Sequence, residues 1–171
     1  MKNKSKYDIL KPIGCIIMEF EDKARKIVEK ECDDYFLGIV DLSLAKNAVI
    51  RQFKSLILEY PRAISIGVTI PYKITYEMLM SKASSIYKET NCQLKSITNH
   101  ITSSLEKEGY KALSLPKGVI NDEGSVSLHE LVADLANLGH IEKNGMLVTR
   151  EVGSAVNWGT VLTDAPIKET K

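Results

Sequence analysis

Apolar residues recur at helical spacing near the start of the chain. Charged residues separate them, as expected for a helix with one buried face. The apolar positions are Phe20, Ala24, Ile27 and Val28. We therefore predict a helix that ends near Cys32. A second helix is predicted from Leu44 to about Glu59, with Ser43 as its N-cap and Pro61 after its end.

A longer stretch, 74–108, contains neither proline nor glycine and carries one apolar face. That face comprises Leu79, Ala83, Ile86, Leu94, Ile97, Ile101 and Leu105. The pattern predicts either one long helix or two helices broken near Thr90 and Asn91. Gly109 is expected to end the stretch, because glycine is the usual residue after a helix C-terminus.

The last predicted helix begins with a capping box. Ser127 and Glu130 have the S-x-x-E spacing in which each side chain bonds to the backbone of the other residue. Leucine and valine follow at helical spacing, and we expect Gly139 to end the helix.

Short apolar runs predict the strands. Residues 36–40 (FLGIV) and 63–70 (AISIGVTI) are apolar, and prolines bound the second, β-branched run on both sides. Three shorter runs also predict strands, at 111–115, 146–149 and 160–163. The last two are expected to be joined across Gly153.

The order of these elements predicts the fold class. Helices and strands alternate early, and two strands follow each other at the end, which favours an α+β fold with a mixed β-sheet flanked by helices. A chain of 171 residues has about the length of one domain. We expect a single domain over 1–171, with an N-terminal extension and helix over 1–35 and the core over 36–167.

Composition and charge narrow the class of protein. Hydrophobic residues make up 44% and charged residues 26%, which is ordinary for a globular protein and excludes a disordered one. The formal net charge of +1 lacks the excess of basic residues that is typical of nucleic-acid-binding proteins. The apolar run 9–18 contains lysine, proline and glycine, so it predicts neither a signal peptide nor a membrane span. We expect a cytoplasmic protein.

The cysteines argue against a disulfide framework or a metal site. Cys15, Cys32 and Cys92 lie far apart, and no CxxC motif occurs. A four-cysteine iron–sulfur cluster cannot be built from three cysteines of one chain. We therefore expect no metal and no iron–sulfur cluster.

Three polar features are candidates for chemistry. The glycine-bounded loop 139–145 (GHIEKNG) offers backbone N–H groups and a lysine to an anionic ligand, although such a connection is also ordinary turn chemistry. His129, in the first helical turn, can donate to a ligand or be a helix-end residue. Asp122 and Glu123 are adjacent carboxylates that either divide acid and base roles or are simply solvated.

The segment 129–167 resembles epoxyqueuosine-reductase-like iron–sulfur proteins. Members of that family have a helix leading into A-G-L-G-W-I-G-K-[NS], then a strand with T-P-E-Y-G, then L-G-x-V-L-T-D-x-P-L. The matching residues in this chain are Ala136, Leu138, Gly139, Ile141, Lys143, Asn144, Leu147, Val148, Thr149, Gly153, Gly159, Val161, Leu162, Thr163, Asp164 and Pro166. Upstream, AISIGVTIPY and GYKALSLP are also similar, so the resemblance extends back to about Phe36.

This resemblance implies a nitroreductase-like fold that reductive dehalogenases share. Characterised members bind cobalamin in this domain and carry two 4Fe–4S clusters in a following ferredoxin-like module, where cobalt supplies the low-potential chemistry and the clusters supply electrons. It also implies that Asp122 or Glu123 is the catalytic proton donor. The implied cofactor-binding residues are His129, Gly139, Lys143, Asn144, Gly145, Thr160 and Thr163.

The chain departs from the family pattern at several positions. Asn137 and Glu142 replace glycines, and His140 replaces tryptophan. Each lost glycine either removes a close approach of the backbone to a ligand or requires a positive φ of Asn or Glu. The Glu142 carboxylate would also repel a cofactor phosphate. The chain stops at Lys171, where the cysteine motifs would begin, so we expect it to lack the ferredoxin module.

These observations support three hypotheses. We expect a cobalamin (corrinoid)-binding module or reductase subunit that depends on a separate iron–sulfur or flavin electron donor. The first alternative is a non-enzymatic, homo-oligomeric binding or regulatory domain that keeps the fold without the cofactor and uses the 74–108 face as its interface. The second alternative is a small flavin-dependent oxidoreductase. We expect no membrane or nucleic-acid partner.

Overall fold

A four-stranded sheet forms the centre of the protein. The computed structural model describes residues 13–45, 52–71, 83–117 and 127–170. The sheet consists of β1 (Tyr35–Asp41), β2 (Arg62–Thr69), β3 (Ala112–Ser114) and β6 (Val156–Thr163). Its order is β1-β2-β6-β3, and each pairing is antiparallel. Strands β4 (His140–Ile141) and β5 (Leu147–Val148) form a separate hairpin.

Helices lie on both faces of this sheet. They are α1 (Ile13–Val28), α2 (Lys54–Glu59), α3 (Ala83–Lys107) and α4 (Leu128–Leu135). The combination confirms the predicted α+β class with helices flanking the sheet. Among the described helices, none has the length and apolarity needed to cross a membrane.

The two faces of the sheet hold two apolar clusters. Because side chains alternate along a strand, Ile64, Ile66 and Val161 face α1 and α3, where they pack against Ile97 and Ile101. The opposite face carries Ala63 and Leu162 and packs against the apolar side of α4. The central strands are therefore buried on both faces, which explains why their sequences are almost continuously apolar.

The sequence predicted β1, β2 and β3 within one residue of their observed bounds. It predicted that α1 ends near Cys32, whereas the helix ends at Val28, and it did not indicate the start at Ile13. It left open whether residues 74–108 form one helix or two. The described part, α3, runs unbroken through Thr90 and Asn91, and Gly109 follows it with a φ of 89°. Residues 72–82 lie outside the described residues.

The start of the second predicted helix was wrong. Leu44 belongs to a 3-10 turn, Leu42–Leu44, whose N-cap is Asp41, and Ala45 is extended. Ser43 is therefore not an N-cap; its own backbone N–H donates to the Asp41 side chain. Residues 46–51 lie outside the described part, and the helix α2 begins at Lys54.

The C-terminal strands also differ from the prediction. The final strand, β6, begins at Val156 rather than at residue 160, because Trp158 and its neighbours pair with β2 as far as Thr69. The run at 147–148 pairs with β4, a two-residue strand that the sequence pattern did not indicate. Gly153 bridges back to Thr149 in a tight turn.

A C-terminal segment covers part of the outer edge of β1. The Thr170 N–H donates to the Ile39 carbonyl at 3.1 Å, and the Ile39 N–H donates to the Thr170 hydroxyl at 2.9 Å. The Asp41 N–H donates to the Glu169 carboxylate at 2.9 Å. These bonds satisfy backbone groups that an edge strand otherwise leaves open.

Candidate functional site at the edge of the sheet

A cavity lies where β3 stops short of its neighbour β6. β3 pairs only with residues 161–163, so among the described residues no strand lies beside the earlier half of β6 on that edge. We call the resulting space of about 470 Å³ the edge cavity. Its lining residues are Asn91, Leu94, Lys95, Thr98 and Asn99 of α3, Ser114 to Lys117, His129 of α4, and Gly159 of β6.

Lys117 bonds to the part of β6 that β3 does not reach. Its ammonium donates to the Trp158 carbonyl on the open edge of β6 and to the Asn157 side-chain oxygen at 2.6 Å. Burial of the ammonium lowers the pKa of Lys117 to about 8, although the negative charge of Glu130 acts in the opposite direction. The lysine is thus held inward as a cation whose proton is easier to lose than usual.

Asn157 connects this lysine to helix α3. It is 4% exposed and occupies a position on β6 that faces the helix. Its amide N–H groups donate to Thr90 Oγ1 at 3.1 Å and to Asn91 Oδ1 at 2.8 Å. All its hydrogen-bonding groups are therefore used within the protein, as expected for a buried amide.

His129 is buried between the strand and the turn that precedes Lys117. Its Nε2 lies 3.2 Å from the Pro116 carbonyl, which can only accept, so Nε2 carries the proton. Nδ1 then accepts from the Thr160 hydroxyl at 3.0 Å. The pKa of His129 is lowered to about 4, chiefly by burial and also by the nearby Lys117 charge, while the Pro116 bond acts against both. The imidazole is therefore neutral at neutral pH and fixes the turn from which Lys117 extends.

The structure places the predicted cofactor-binding residues in three locations. His129 and Thr160 meet at the edge cavity. Gly139, Lys143, Asn144 and Gly145 lie in or beside the β4–β5 hairpin. This hairpin follows the other end of α4, whose eight residues span about 12 Å.

Thr163 lies at the far end of β6. Its hydroxyl donates to the Lys111 carbonyl at 2.7 Å and accepts from the Ala165 N–H, so it holds the sheet together locally. The predicted proton donors, Asp122 and Glu123, lie outside the described residues. The residues on either side of that segment, Lys117 and Ser127, are close to His129 and the edge cavity.

Lys117, Asn91 and Asn157 belong to the site, and sequence reasoning missed them. They are separated by 26 and 40 positions, and only the pairing of β6 beside α3 brings them together. One signal was present: Asn157 places an amide in a strand (VNWGTVLT) that is buried throughout. A buried amide in such a strand indicates polar partners elsewhere in the fold.

A larger groove of about 770 Å³ lies at the start of β1 and the end of β2. Its lining includes Asp34, Phe36, Pro71 and Glu151. None of the predicted cofactor-binding residues lines it, and its charged groups are carboxylates. Within the described residues, no cluster of three or more His, Cys, Asp or Glu side chains has the arrangement of a metal site.

Solved structures share this fold. A catabolic reductive dehalogenase, NpRdhA, superimposes with a TM-score of 0.62 at 15% identity, over 86% of this chain and 21% of that one. Epoxyqueuosine reductase from Streptococcus thermophilus gives 0.56 at 18% identity, over 90% and 47%. The enzyme from Bacillus subtilis, with its catalytic aspartate loop swung out of the active site, gives 0.53 at 14%, over 93% and 48%.

These likenesses confirm the predicted epoxyqueuosine-reductase-like fold. No family model matches the chain, and no curated protein matches it either. The identities are below a fifth, so the comparison concerns the fold alone. The chain spans just under half of the epoxyqueuosine reductases and about a fifth of the dehalogenase.

Proposed function

We propose that this chain is a cytoplasmic, corrinoid-binding redox module that receives electrons from a separate iron–sulfur or flavin protein. The observation that carries the proposal is the edge cavity on a fold shared with reductases. A ligand-sized space lies at the sheet edge, lined by amide, hydroxyl and ammonium groups. Cavities of a few hundred Å³ with a few convergent polar groups are the usual form of a ligand site.

The residues of the edge cavity fit a corrinoid in their chemistry. A corrinoid carries amide side chains around its ring, and Asn91, Asn99 and Lys117 would hold these groups. The volume of about 470 Å³ suits a drug-sized ligand, whereas a whole corrinoid is larger. The described cavity would therefore take one side of the cofactor, with its amide groups.

The protein residues supply binding and orientation. A bound corrinoid supplies low-potential cobalt chemistry. Lys117 and Asn91 hold acceptor groups of the ligand, while Leu94 and Leu115 exclude water on the apolar side. His129 acts as a positioning residue, because both of its ring nitrogens are engaged by Thr160 and Pro116. Asp122 and Glu123 remain the predicted proton donors.

Binding of cob(II)alamin tests the proposal. We expect the visible spectrum of about 0.1 mM cob(II)alamin to shift on addition of the purified protein. Gly159→Val should abolish the shift, because even a Cβ at this position would lie 3.1 Å from Leu94 Cδ2 and narrow the cavity. Leu58→Ala, at a side chain that is 75% exposed on α2, is the control and should bind normally.

An unchanged spectrum with folded wild-type protein would refute the proposal. If the same preparation also has the mass of an oligomer, the non-enzymatic binding domain becomes the better account. Circular dichroism establishes that Gly159→Val is folded. Should that variant unfold, Lys117→Met replaces it, since it removes a cavity donor without adding bulk.

A further inference from the structure

The direction of each hydrogen bond at the edge cavity can be derived from one lysine. An ammonium only donates, so the Asn157 oxygen must face Lys117 and the Asn157 amide N–H groups must face α3. The Asn91 oxygen accepts one of those N–H groups at 2.8 Å. Asn91 lines the cavity with its oxygen already occupied, so the group it offers to a ligand is its own N–H pair.

The N–H groups of the Lys117 ammonium are only partly used within the described protein. An ammonium has three N–H groups, and two of them are used by Asn157 and by the Trp158 carbonyl. The third has no partner among the described residues. Lys95 lines the same space, and the described lining contains no carboxylate. The polar part of the cavity thus presents donors and positive charge, and the negative charge that acts on Lys117 comes from Glu130, outside the lining.

Another part of the lining is apolar, beside the polar side chains of Thr98, Asn99, Ser114 and His129. Leu94, Leu115, Pro116 and the backbone of Gly159 form this part of the wall. A small inorganic ion would leave this part unfilled, because the cavity holds about 470 Å³. The ligand that matches both parts has an apolar body and a charged end that accepts hydrogen bonds.

We infer that the edge cavity binds an organic oxyanion, a carboxylate or phosphate on an apolar body, with its charged end between Asn91 and Lys117. The inference deepens the proposed function, on which it rests in placing a ligand in this cavity. Bonds from charged donors to an oxyanion are stronger than bonds between neutral groups. A cationic ligand finds no carboxylate in the described lining, and a neutral ligand forgoes the charge-assisted bond from Lys117.

Binding of matched small probes tests the inference without any corrinoid. Benzoate and benzyl phosphate are titrated by calorimetry, against benzamide and benzyl alcohol as their neutral counterparts. We expect each anion to bind at least about tenfold more tightly than its neutral counterpart. Equal affinity for the charged and neutral probes, or no binding of either anion at about 10 mM, overturns the inference.

One substitution reverses the polarity of the site with almost no change in shape. Asn91→Asp keeps the oxygen that accepts from Asn157 but replaces the N–H pair by a second oxygen, so it should weaken anion binding at least about tenfold. Lys107→Met makes the same change in net charge sixteen residues further along α3, about 24 Å away. This control should bind as the wild type does. Unchanged binding by Asn91→Asp overturns the inference.

The same variants distinguish the origin of the oxyanion. If the anion belongs to the substrate, Asn91→Asp weakens benzoate binding and changes the binding of cob(II)alamin and of cobinamide by the same factor. If it is the cofactor phosphate, the variant weakens cob(II)alamin binding more than binding of cobinamide, which lacks the phosphate. Cob(II)alamin binding without any anion binding refutes this inference alone, whereas anion binding without cob(II)alamin binding refutes the proposed function alone.

Discussion

At the scale of single residues, the site depends on buried polar side chains whose partners are fixed. His129 is 4% exposed, and its two ring nitrogens bond to Thr160 and Pro116. Neither nitrogen is left to accept a proton without breaking one of these bonds. The cost of charging this ring in a buried position is what lowers its pKa.

His129 is expected to make the stability of the protein depend on pH. Its pKa is about 4 in the folded protein, below the value of about 6.5 in an unfolded chain. Between these values the unfolded chain binds a proton that the folded chain does not. The free energy of unfolding should therefore fall by about 2 kcal/mol between pH 7 and pH 5 from this residue alone.

Urea unfolding at the two pH values measures this contribution. His129→Gln is expected to lose it, since the glutamine amide does not titrate. His140→Gln serves as the control, because the His140 side chain is 80% exposed, and it should keep the wild-type difference. A wild-type difference that persists in His129→Gln would contradict the assignment.

At the scale of elements, the end of α4 shows how the chain tolerates a lost glycine. Asn137 has a φ of 57°, in the left-handed region. The Leu138 N–H donates to the Ala133 carbonyl and the Asn137 N–H to the Asp134 carbonyl, both at 3.0 Å, which is the bonding of a Schellman motif. The helix therefore ends at Leu135, with Asn137 as the left-handed residue that follows its C-cap, and Gly139 does not end it. Among the described non-glycine residues, Asn137 alone has a positive φ, so Glu142 does not need one.

Substitutions at Asn137 should follow this geometry. Asn137→Ala is expected to lower the free energy of unfolding by about 1 kcal/mol, since alanine is strained at positive φ. Asn137→Gly should be neutral or slightly stabilising, because glycine adopts this conformation freely. Glu142→Gly, the other position where the family has glycine, is the matched control and should not stabilise. Thermal unfolding ranks the three variants, and equal effects of Ala and Gly at 137 would disprove the account.

At the scale of the whole molecule, the two edges of the sheet are closed by different means. On the β1 side, the segment ending at Thr170 bonds to Ile39 and Asp41. On the β3 side, Lys117 bonds to the half of β6 that β3 does not reach, beside the edge cavity. One edge is thus protected by a strand-like segment, and the other by a side chain beside a candidate ligand site.

Removing the C-terminal cover should expose β1. Deletion of 169–171 leaves Ile167, which is 6% exposed, in the core but removes the partners of the Ile39 and Asp41 backbone groups. We expect the shortened protein to self-associate, because an open strand edge pairs with other chains. Size-exclusion chromatography at increasing concentration measures this, with deletion of residue 171 alone as the control. An identical concentration dependence in both proteins would exclude a protective role.

The sequence by itself determined the elements and the fold class. Periodicity located α1, β1, β2 and α3, and the Ser127–Glu130 capping box correctly marked the start of α4. These features depend on neighbouring residues, whose spacing is visible in the sequence. Resemblance over 129–167 also indicated the fold that the solved structures share.

Only the tertiary structure decided which residues form the candidate site. Periodicity does not reveal that β6 extends back to Val156, or that β3 ends three residues before Lys117. β6 therefore extends past the end of β3, and part of its edge is not paired with β3. The packing of β6 beside α3 then brings Asn91, Lys117 and Asn157 together. The physical reason is that a cavity forms from contacts between segments distant in sequence, whereas sequence patterns record only the burial of each segment.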